Sequence, residues 1–209
     1  MPAGDGSLTH RRHVCSQVIA QLPESLTTRL DLEEIFGRKA PLHVDLGCGE
    51  GSFLCALAER IPDKDFIGVE RLSRRVRSAA HKAAGLSNVR LIQIESSYAV
   101  RYLLPLESVE TFYLLFPDPW PKRRHHRRRI VTPDFLNSVH AALKSNGLIY
   151  IATDHREYFE QIKATVESTS GFTMGNADVD LPRSKFGFTF QREGIPINWL
   201  VIRKISPVK

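Results

Sequence analysis

Residues 42–51, LHVDLGCGEG, join a short apolar run to a loop in which every second residue is glycine. The apolar run predicts a buried strand from Leu42 to Asp45. Glycine at positions 47, 49 and 51 lets the backbone turn tightly and approach a ligand closely. Doubly wound α/β folds bind their ligands at such a place, at the carboxyl ends of parallel strands.

The rest of the chain alternates short apolar runs with longer amphipathic segments. We expect strands at 42–45, 65–69, 89–94, 111–116 and 148–152, and helices that begin at Ser52, Ser73, Thr132 and about His155. After Gly171 the pattern predicts strands at 186–190 and 198–204, joined by Glu193-Gly194. The predicted fold class is therefore α/β and Rossmann-like: a mostly parallel twisted sheet with helices on both faces and a C-terminal antiparallel hairpin.

Length and composition predict one globular domain. The chain has 209 residues, of which 42% are hydrophobic and 25% charged. We expect a single domain over residues 1–209, with its core at about 40–204 and a flexible arm at about 1–12. No apolar stretch approaches the ~18 residues of a membrane span, and the three cysteines form no CxxC pair. These features predict a cytoplasmic protein without a membrane partner.

The positive charge is concentrated in one segment. Lys and Arg number 29 against 23 Asp and Glu, and six of the cations lie between Lys122 and Arg129, where there is no anion. A local basic cluster of this kind is typical of a surface that binds phosphate groups.

The spacing of the glycine loop indicates the class of ligand. G-x-G-x-G lacks the third glycine of the dinucleotide fingerprint, and no Gly-Lys-Ser/Thr of a P-loop is present. Glu70 follows Gly47 by 23 residues, the distance at which an acidic residue reaches the ribose of a nucleoside. Glu95 ends the next predicted strand, and Asp45 suits an ammonium group. Three carboxylates without a phosphate-binding lysine indicate a cationic, amine-bearing nucleoside.

This combination resembles the S-adenosylmethionine-binding core of the class I methyltransferases. The resemblance implies S-adenosyl-L-methionine as methyl donor and no metal. The donor-binding residues that it implies are Asp45, Gly47, Gly49, Gly51, Glu70, Glu95, Ser96 and Asp118.

Residues 116–130, FPDPWPKRRHHRRRI, follow the fourth predicted strand, which leads to the same cleft. Three prolines make a stiff loop that holds Asp118 and presents Trp120, as a positioning residue requires. The whole stretch closely resembles the signature of the bacterial tRNA (guanine-N7-)-methyltransferase family, and the resemblance covers roughly residues 40–204. Further similar segments are GLSNV at 85–89, ATD at 152–154, SKF at 184–186 and GIPI at 194–197.

That family methylates N7 of a guanine in tRNA, usually nucleotide 46 in the variable loop. The resemblance implies that Asp118 is the catalytic residue and that Lys122 and Asp154 contact the guanosine. It implies that Ser184, Lys185, Phe186 and Gly187 close over the base and that Arg124, His125, His126, Arg127, Arg128 and Arg129 hold the tRNA backbone. Two positions depart from the family pattern: Gly187 stands where a glutamate is usual, and Glu95 stands where Asp or Asn is usual.

Other interpretations of these features stay open. One alternative is another class I methyltransferase that acts on rRNA, protein or a small molecule. The other is a noncatalytic RNA-binding protein on this fold. Taken alone, the basic run is typical of a solvated face or a nuclear-localisation tract. Asp154 alone fits an N-cap of the next helix, and Trp120 and Phe186 alone fit core aromatics.

Overall fold

The computed structural model describes residues 28–175, 181–182 and 185–205. The predicted arm at 1–12 and the predicted base-contacting residue Ser184 lie outside these residues. Within the described ranges, no helix is long and apolar enough to cross a membrane.

Seven strands of the described chain form one sheet in the order β3-β2-β1-β4-β5-β7-β6. Their bounds are β1 Leu42–Leu46, β2 Asp65–Glu70, β3 Val89–Gln93, β4 Val109–Leu115, β5 Leu143–Thr153, β6 Phe172–Gly175 and β7 Asn198–Lys204. Strands β1 to β5 run parallel, and β7 pairs antiparallel with both β5 and β6. The predicted mostly parallel α/β fold with an antiparallel C-terminal pair is confirmed.

Helices cover both faces of the sheet. Their bounds are α1 Leu32–Phe36, α2 Ser52–Arg60, α3 Ser73–Ala83, α4 Ser96–Tyr98 continued by a π-helical turn Ala99–Leu103, a 3₁₀ helix Arg123–Arg128, α5 Pro133–Ala142, α6 Arg156–Glu167 and α7 Lys185–Arg192. Successive strand residues point to opposite faces. Phe112 of β4 accordingly packs in the core cluster that contains α5 and α6, and Tyr113 packs in the cluster that contains α2 and α3. The parallel strands are thus buried on both sides, which fits their continuous apolar runs.

The predicted helix starts agree with the structure within a few residues, but one predicted helix end does not. Thr132 caps α5 as expected, because its Oγ1 accepts a hydrogen bond of 3.2 Å from the Phe135 amide. Ser52 is the first residue of α2 and Gly51 is its N-cap. From the sequence, the apolar stripe of this helix runs through Leu136 and Val139 to Leu143, but α5 ends at Ala142, because Leu143 pairs with Val109 and begins β5. A buried leucine satisfies a helix stripe and a strand equally well, so the pattern did not distinguish them.

The predicted strand at 186–190 is wrong, because this segment lies in α7. Its three alternating phenylalanines have the period of a strand, but the Glu193 amide donates to the Thr189 carbonyl at 3.0 Å in helical fashion. The Ile195 amide then bonds the Phe190 carbonyl at 2.8 Å as the chain turns at Gly194. The antiparallel partners of β7 are β5 and β6, so the predicted hairpin through Glu193-Gly194 does not form.

Candidate active site

The glycine loop after β1 has the tightly turned backbone that its sequence predicts. Gly47, Gly49 and Gly51 all have positive φ, at 81°, 56° and 75°. The Gly47 amide donates a 2.8 Å hydrogen bond to the Val69 carbonyl, which ties the loop to β2. A Cβ on Gly51 would lie 2.8 Å from Cβ of Ala79 in α3. Glycine at position 51 is therefore required both by the turn and by the close approach of α2 to α3.

Two carboxylates lie buried beside this loop. Asp45 in β1 and Glu70 at the end of β2 are 3% and 5% exposed. Glu70 is partly satisfied, because its Oε1 accepts a 2.8 Å hydrogen bond from the Leu72 amide. No hydrogen bond or ion pair from a residue that the structure describes reaches the Asp45 carboxylate. Burial first, and the charge of Glu70 second, raise the pKa of Asp45 to about 7.

A buried carboxylate without a partner costs free energy unless a cation or a donor meets it. The Asp45 carboxylate therefore fits an ammonium- or sulfonium-bearing ligand, and the glycine loop lets such a ligand approach the backbone. Burial raises the pKa of the Cys48 thiol well above its usual value, which disfavours the reactive thiolate form.

Glu95 and Ser96 extend the same edge of the sheet to β3. Glu95 caps the short helix α4, and its two carboxylate oxygens accept hydrogen bonds of 3.0 and 2.9 Å from the Ser97 and Tyr98 amides. Ser96 is the first residue of α4. Because β3, β2 and β1 are neighbours, the structure brings the predicted cofactor residues to three adjacent strand ends.

Asp118 lies on a loop that follows β4, the neighbour of β1 on its other side. Two residues that flank it, Phe116 and Trp120, have φ of 55° and 44°, which is uncommon for residues other than glycine. The Phe116 amide anchors the start of the loop with a 2.7 Å hydrogen bond to the Ala152 carbonyl of β5. Asp118 itself is exposed and has no hydrogen bond or ion pair with another described side chain or backbone group. Backbone strain around an unpaired carboxylate is typical of a functional loop.

The basic run forms the 3₁₀ helix, in which residues three apart lie above one another. This geometry divides the predicted tRNA-binding residues into three rows. Arg124 and Arg127 form an exposed row, and Lys122 just before the helix is exposed as well. These side chains are available to a polyanion.

The second row packs against Trp120. The His125 ring meets the Trp120 ring edge-on with centroids 5.8 Å apart, and the Arg128 guanidinium lies 4.9 Å from the Trp120 centroid. Trp120 is therefore a half-buried platform for the basic run rather than a residue of the hydrophobic core.

The third row, His126 and Arg129, faces α6. The prediction for Arg129 is corrected here. Arg129 was expected to hold the tRNA backbone, but it is only 2% exposed. Its guanidinium bonds Gln161, lies 3.3 Å from Oε1 of Glu157 and stacks at 4.8 Å on Tyr158. Its Nε donates to the Pro119 carbonyl at 2.8 Å. His126 is half-buried, and its Nε2 lies 3.7 Å from the same Glu157 oxygen.

The sequence interpretation missed this bracing role. Glu157 and Gln161 are polar residues four apart that flank the buried positions Tyr158 and Ile162 of α6. Polar residues beside an apolar helix stripe usually face solvent, so the sequence did not distinguish these two as partners of a buried arginine.

The predicted guanosine-contacting residues lie next to the Asp118 loop. Asp154 is half-buried immediately after β5, the neighbour of β4. It is not the N-cap of α6, because His155 takes that position and its Nδ1 accepts a 3.2 Å hydrogen bond from the Tyr158 amide. Lys185, Phe186 and Gly187 lie in the first turn of α7.

Helix α7 is attached to the same loop. The Phe190 ring packs on the Phe116 ring with centroids 5.3 Å apart. The segment expected to close over the base therefore begins a helix that touches the start of the Asp118 loop.

Comparisons with known proteins show the family to which the chain is similar. The family model described as "Putative methyltransferase" matches residues 39–191. The chain is 38% identical to the tRNA (guanine-N(7)-)-methyltransferase of Thermotoga maritima, over 85% of this chain and 58% of that protein. It is also 38% identical to the enzyme of the same name from Halorhodospira halophila, over 79% of this chain and 74% of that protein.

Among solved structures, an antibiotic-related methyltransferase superposes with a TM-score of 0.57 at 21% identity. The match covers 85% of this chain and 96% of that one. At this identity the likeness supports the fold alone.

Proposed function

Because the chain belongs to the tRNA (guanine-N(7)-)-methyltransferase family, we propose that it transfers a methyl group from S-adenosylmethionine to N7 of a guanine in tRNA. The target is guanine 46 of the variable loop, as in the family that the sequence resembles. The observation that carries this proposal is the order of groups along one sheet edge. Buried carboxylates at β1 and β2 are followed, across β4, by the exposed Asp118 and then by the cationic 3₁₀ helix.

The donor pocket consists of the glycine loop and the acidic strand ends. Asp45 faces the cationic amino-acid part of the donor, and Glu70 and Glu95 face its nucleoside part. When bound, S-adenosylmethionine supplies an electrophilic methyl group on a sulfonium. Asp45 and Glu70 hold negative charge in a place with little water, where an opposite charge is stabilised more strongly than in bulk solvent.

The acceptor requires little proton chemistry from the protein. Guanine N7 has an in-plane lone pair at neutral pH, so no strong general base is needed. Positive charge develops on the purine as the methyl group arrives, and the Asp118 carboxylate stabilises that charge. The strained proline loop keeps Asp118 in position, so little reorganisation is needed during the reaction.

The remaining predicted residues orient the RNA. Lys122 and Asp154 contact the guanosine, and Lys185, Phe186 and Gly187 cover the base. Arg124, Arg127 and Arg128 hold the phosphate backbone, whereas the buried Arg129 supports the loop from behind. With tRNA as substrate, we place the protein in the cytoplasm.

The test is incubation of the purified protein with methyl-labelled S-adenosylmethionine and unmodified tRNA, followed by digestion and nucleoside analysis. We expect the label in 7-methylguanosine, and its loss when guanine 46 of the transcript is replaced by adenine. Label in rRNA, in protein or in another nucleoside, with none in tRNA 7-methylguanosine, would show that the proposal is wrong.

A further inference from the structure

Helix α3 and the two residues that precede it carry a second group of cations. Residues 71–82 contain Arg71, Arg74, Arg75, Arg77 and Lys82, and no Asp or Glu occurs between positions 71 and 94. The proposed function assigns no role to this segment. It is a local surplus of positive charge, as the basic run is.

Two of these cations share a side of the helix, and a third lies just before it. Arg74 and Arg77 are three residues apart in α3 and lie on one exposed side of it, and Arg71 is exposed in the turn before the N-cap Leu72. The opposite side of α3 is buried through Val76, Ala79 and Ala83. We call Arg71, Arg74 and Arg77 the α3 strip.

The α3 strip is not used inside the described part of the protein. Arg75 lies 3.8 Å from Glu70, and Lys82 lies 3.9 Å from Glu50. In contrast, no carboxylate in the described ranges is within ion-pair distance of the three arginines of the strip. Their guanidinium groups therefore face solvent.

This arrangement is unfavourable for the free helix. Like charges three residues apart repel each other, and cations near a helix N-terminus oppose the helix dipole. The N-cap, Leu72, offers no side-chain acceptor, and the first turn contains no acidic residue. A polyanion bound along the strip offsets both the repulsion between the arginines and their unfavourable interaction with the helix dipole.

The strip lies on the same edge of the sheet as the candidate active site. Helix α3 follows β2, the basic run follows β4, and only β1 with its glycine loop separates the two strands. Since neighbouring strands are about 4.8 Å apart, the two cationic segments leave the sheet about 10 Å from each other, on either side of the donor loop. This separation is short enough for one RNA molecule to contact both segments.

From these observations we propose that the α3 strip is a second phosphate-binding surface for the tRNA whose base enters the active site. The strip contacts the RNA backbone on the β2 side of the donor pocket, and Arg124 and Arg127 contact it on the β4 side. The identity of the RNA rests on the proposed function.

The test uses the double variant Arg74→Gln/Arg77→Gln. It leaves Arg71 unchanged, and it also keeps Arg75, which lies beside Glu70. Glutamine keeps a helix-forming side chain and removes the charge. The matched control is Lys39→Gln/Lys144→Gln, which removes two exposed cations near the amino ends of β1 and β5, at the opposite edge of the sheet. For each protein the affinity for unmodified tRNA is measured at several salt concentrations, together with the affinity for S-adenosylmethionine.

We expect the α3 variant to lose affinity for tRNA on the order of tenfold at low salt. The slope of log affinity against log salt should become less steep by about 1.4 to 1.8, since each phosphate contact contributes about 0.7 to 0.9. Donor affinity and melting temperature should match the wild type. An α3 variant with the tRNA affinity and salt slope of the control would overturn the inference.

The two proposals fail separately. Formation of 7-methylguanosine by the wild-type protein reports on the proposed function, whereas tRNA affinity reports on the strip. A wild type that methylates tRNA, with an α3 variant that binds it normally, refutes only the strip. A wild type that forms no 7-methylguanosine, with an α3 variant that loses tRNA affinity, refutes only the proposed function.

Discussion

Nε of Arg129 donates a 2.8 Å hydrogen bond to the carbonyl oxygen of Pro119, one residue after Asp118. The same guanidinium is fixed by Glu157 and Gln161 of α6, so a helix on one face of the sheet supports the loop that carries the candidate catalytic carboxylate. A basic residue in a sequence run of six cations is thus a structural brace, while its neighbours face solvent.

This bond predicts how an Arg129→Met protein behaves. Removal of the guanidinium leaves the Pro119 carbonyl and Gln161 without their partner, so we expect a loss of about 2 to 3 kcal/mol in the free energy of unfolding. The methylation rate at saturating tRNA should fall more than the affinity for tRNA, and Arg129→Lys should restore part of the rate. The salt dependence of tRNA binding should stay that of the wild type. A less steep slope would mean that Arg129 binds a phosphate after all.

The exposed row of the 3₁₀ helix predicts a change in the salt dependence of tRNA binding rather than in the methylation rate. In Arg124→Gln/Arg127→Gln the slope of log tRNA affinity against log salt should fall by about 1.4 to 1.8. The single-turnover rate at saturating tRNA should change little, because neither side chain touches the Asp118 loop among the described contacts. Unchanged binding at every salt concentration would remove these two residues from the RNA surface.

Asp45 predicts a dependence of stability on pH. Its pKa in the folded protein is about 7, against an ordinary value of 3.8, so the native state binds this proton more tightly than the unfolded chain does. The stabilisation by the protonated carboxyl is complete below about pH 4 and is lost as the pH rises to about 7, by up to about 1.4 kcal/mol for each unit.

Chemical denaturation of the ligand-free protein between pH 4 and 8 measures this effect. We expect the wild type to lose stability relative to Asp45→Asn across that window. Since the donor cation requires the ionised carboxylate, S-adenosylmethionine should bind the wild type more tightly as the pH rises through 7, and Asp45→Asn should not show this change. Parallel stability curves for the two proteins would exclude the raised pKa.

The contact between Gly51 and α3 predicts how much one added methyl group at position 51 lowers the stability of the protein. In Gly51→Ala the new Cβ would lie 2.8 Å from Cβ and 3.1 Å from Cα of Ala79, and the backbone would keep a φ of 75°. We expect a loss of about 1 to 3 kcal/mol in stability and weaker binding of the donor. Gly85→Ala is the control, because nothing lies within 4 Å of its added Cβ. Thermal unfolding with and without donor distinguishes the two variants, and equal melting temperatures would contradict the contact.

The parts of the fold that were predictable are those with a strong local signal. The β1 loop combined a buried strand, three glycines and an acidic residue at a fixed distance, and each of these constrains the backbone directly. Thr132-Pro133 fixed the start of α5 in the same way. For the candidate site, the strand ends that carry Asp45, Glu70, Glu95 and Asp118 followed from the alternation of strands and helices.

The errors arose where tertiary contacts decide. Phe186 to Phe190 alternate with the period of a strand, yet the place beside β7 belongs to β6, and the segment forms a helix that packs Phe190 on Phe116. Arg129 is identical in type to its exposed neighbours, and only the position of α6 makes it buried. Neither the helix at 186–190 nor the burial of Arg129 is encoded in the local sequence pattern.

The most direct test of the account is the single-turnover methylation rate of an Asp118→Asn protein at saturating tRNA and donor, with Asp63→Asn, an exposed carboxylate near the amino end of β2, as control. If Asp118 stabilises the charge that develops on the guanine, its rate should fall by about 100-fold or more while tRNA affinity changes less than about threefold. The control should keep the wild-type rate. A near-normal rate for Asp118→Asn would contradict the central role of this carboxylate.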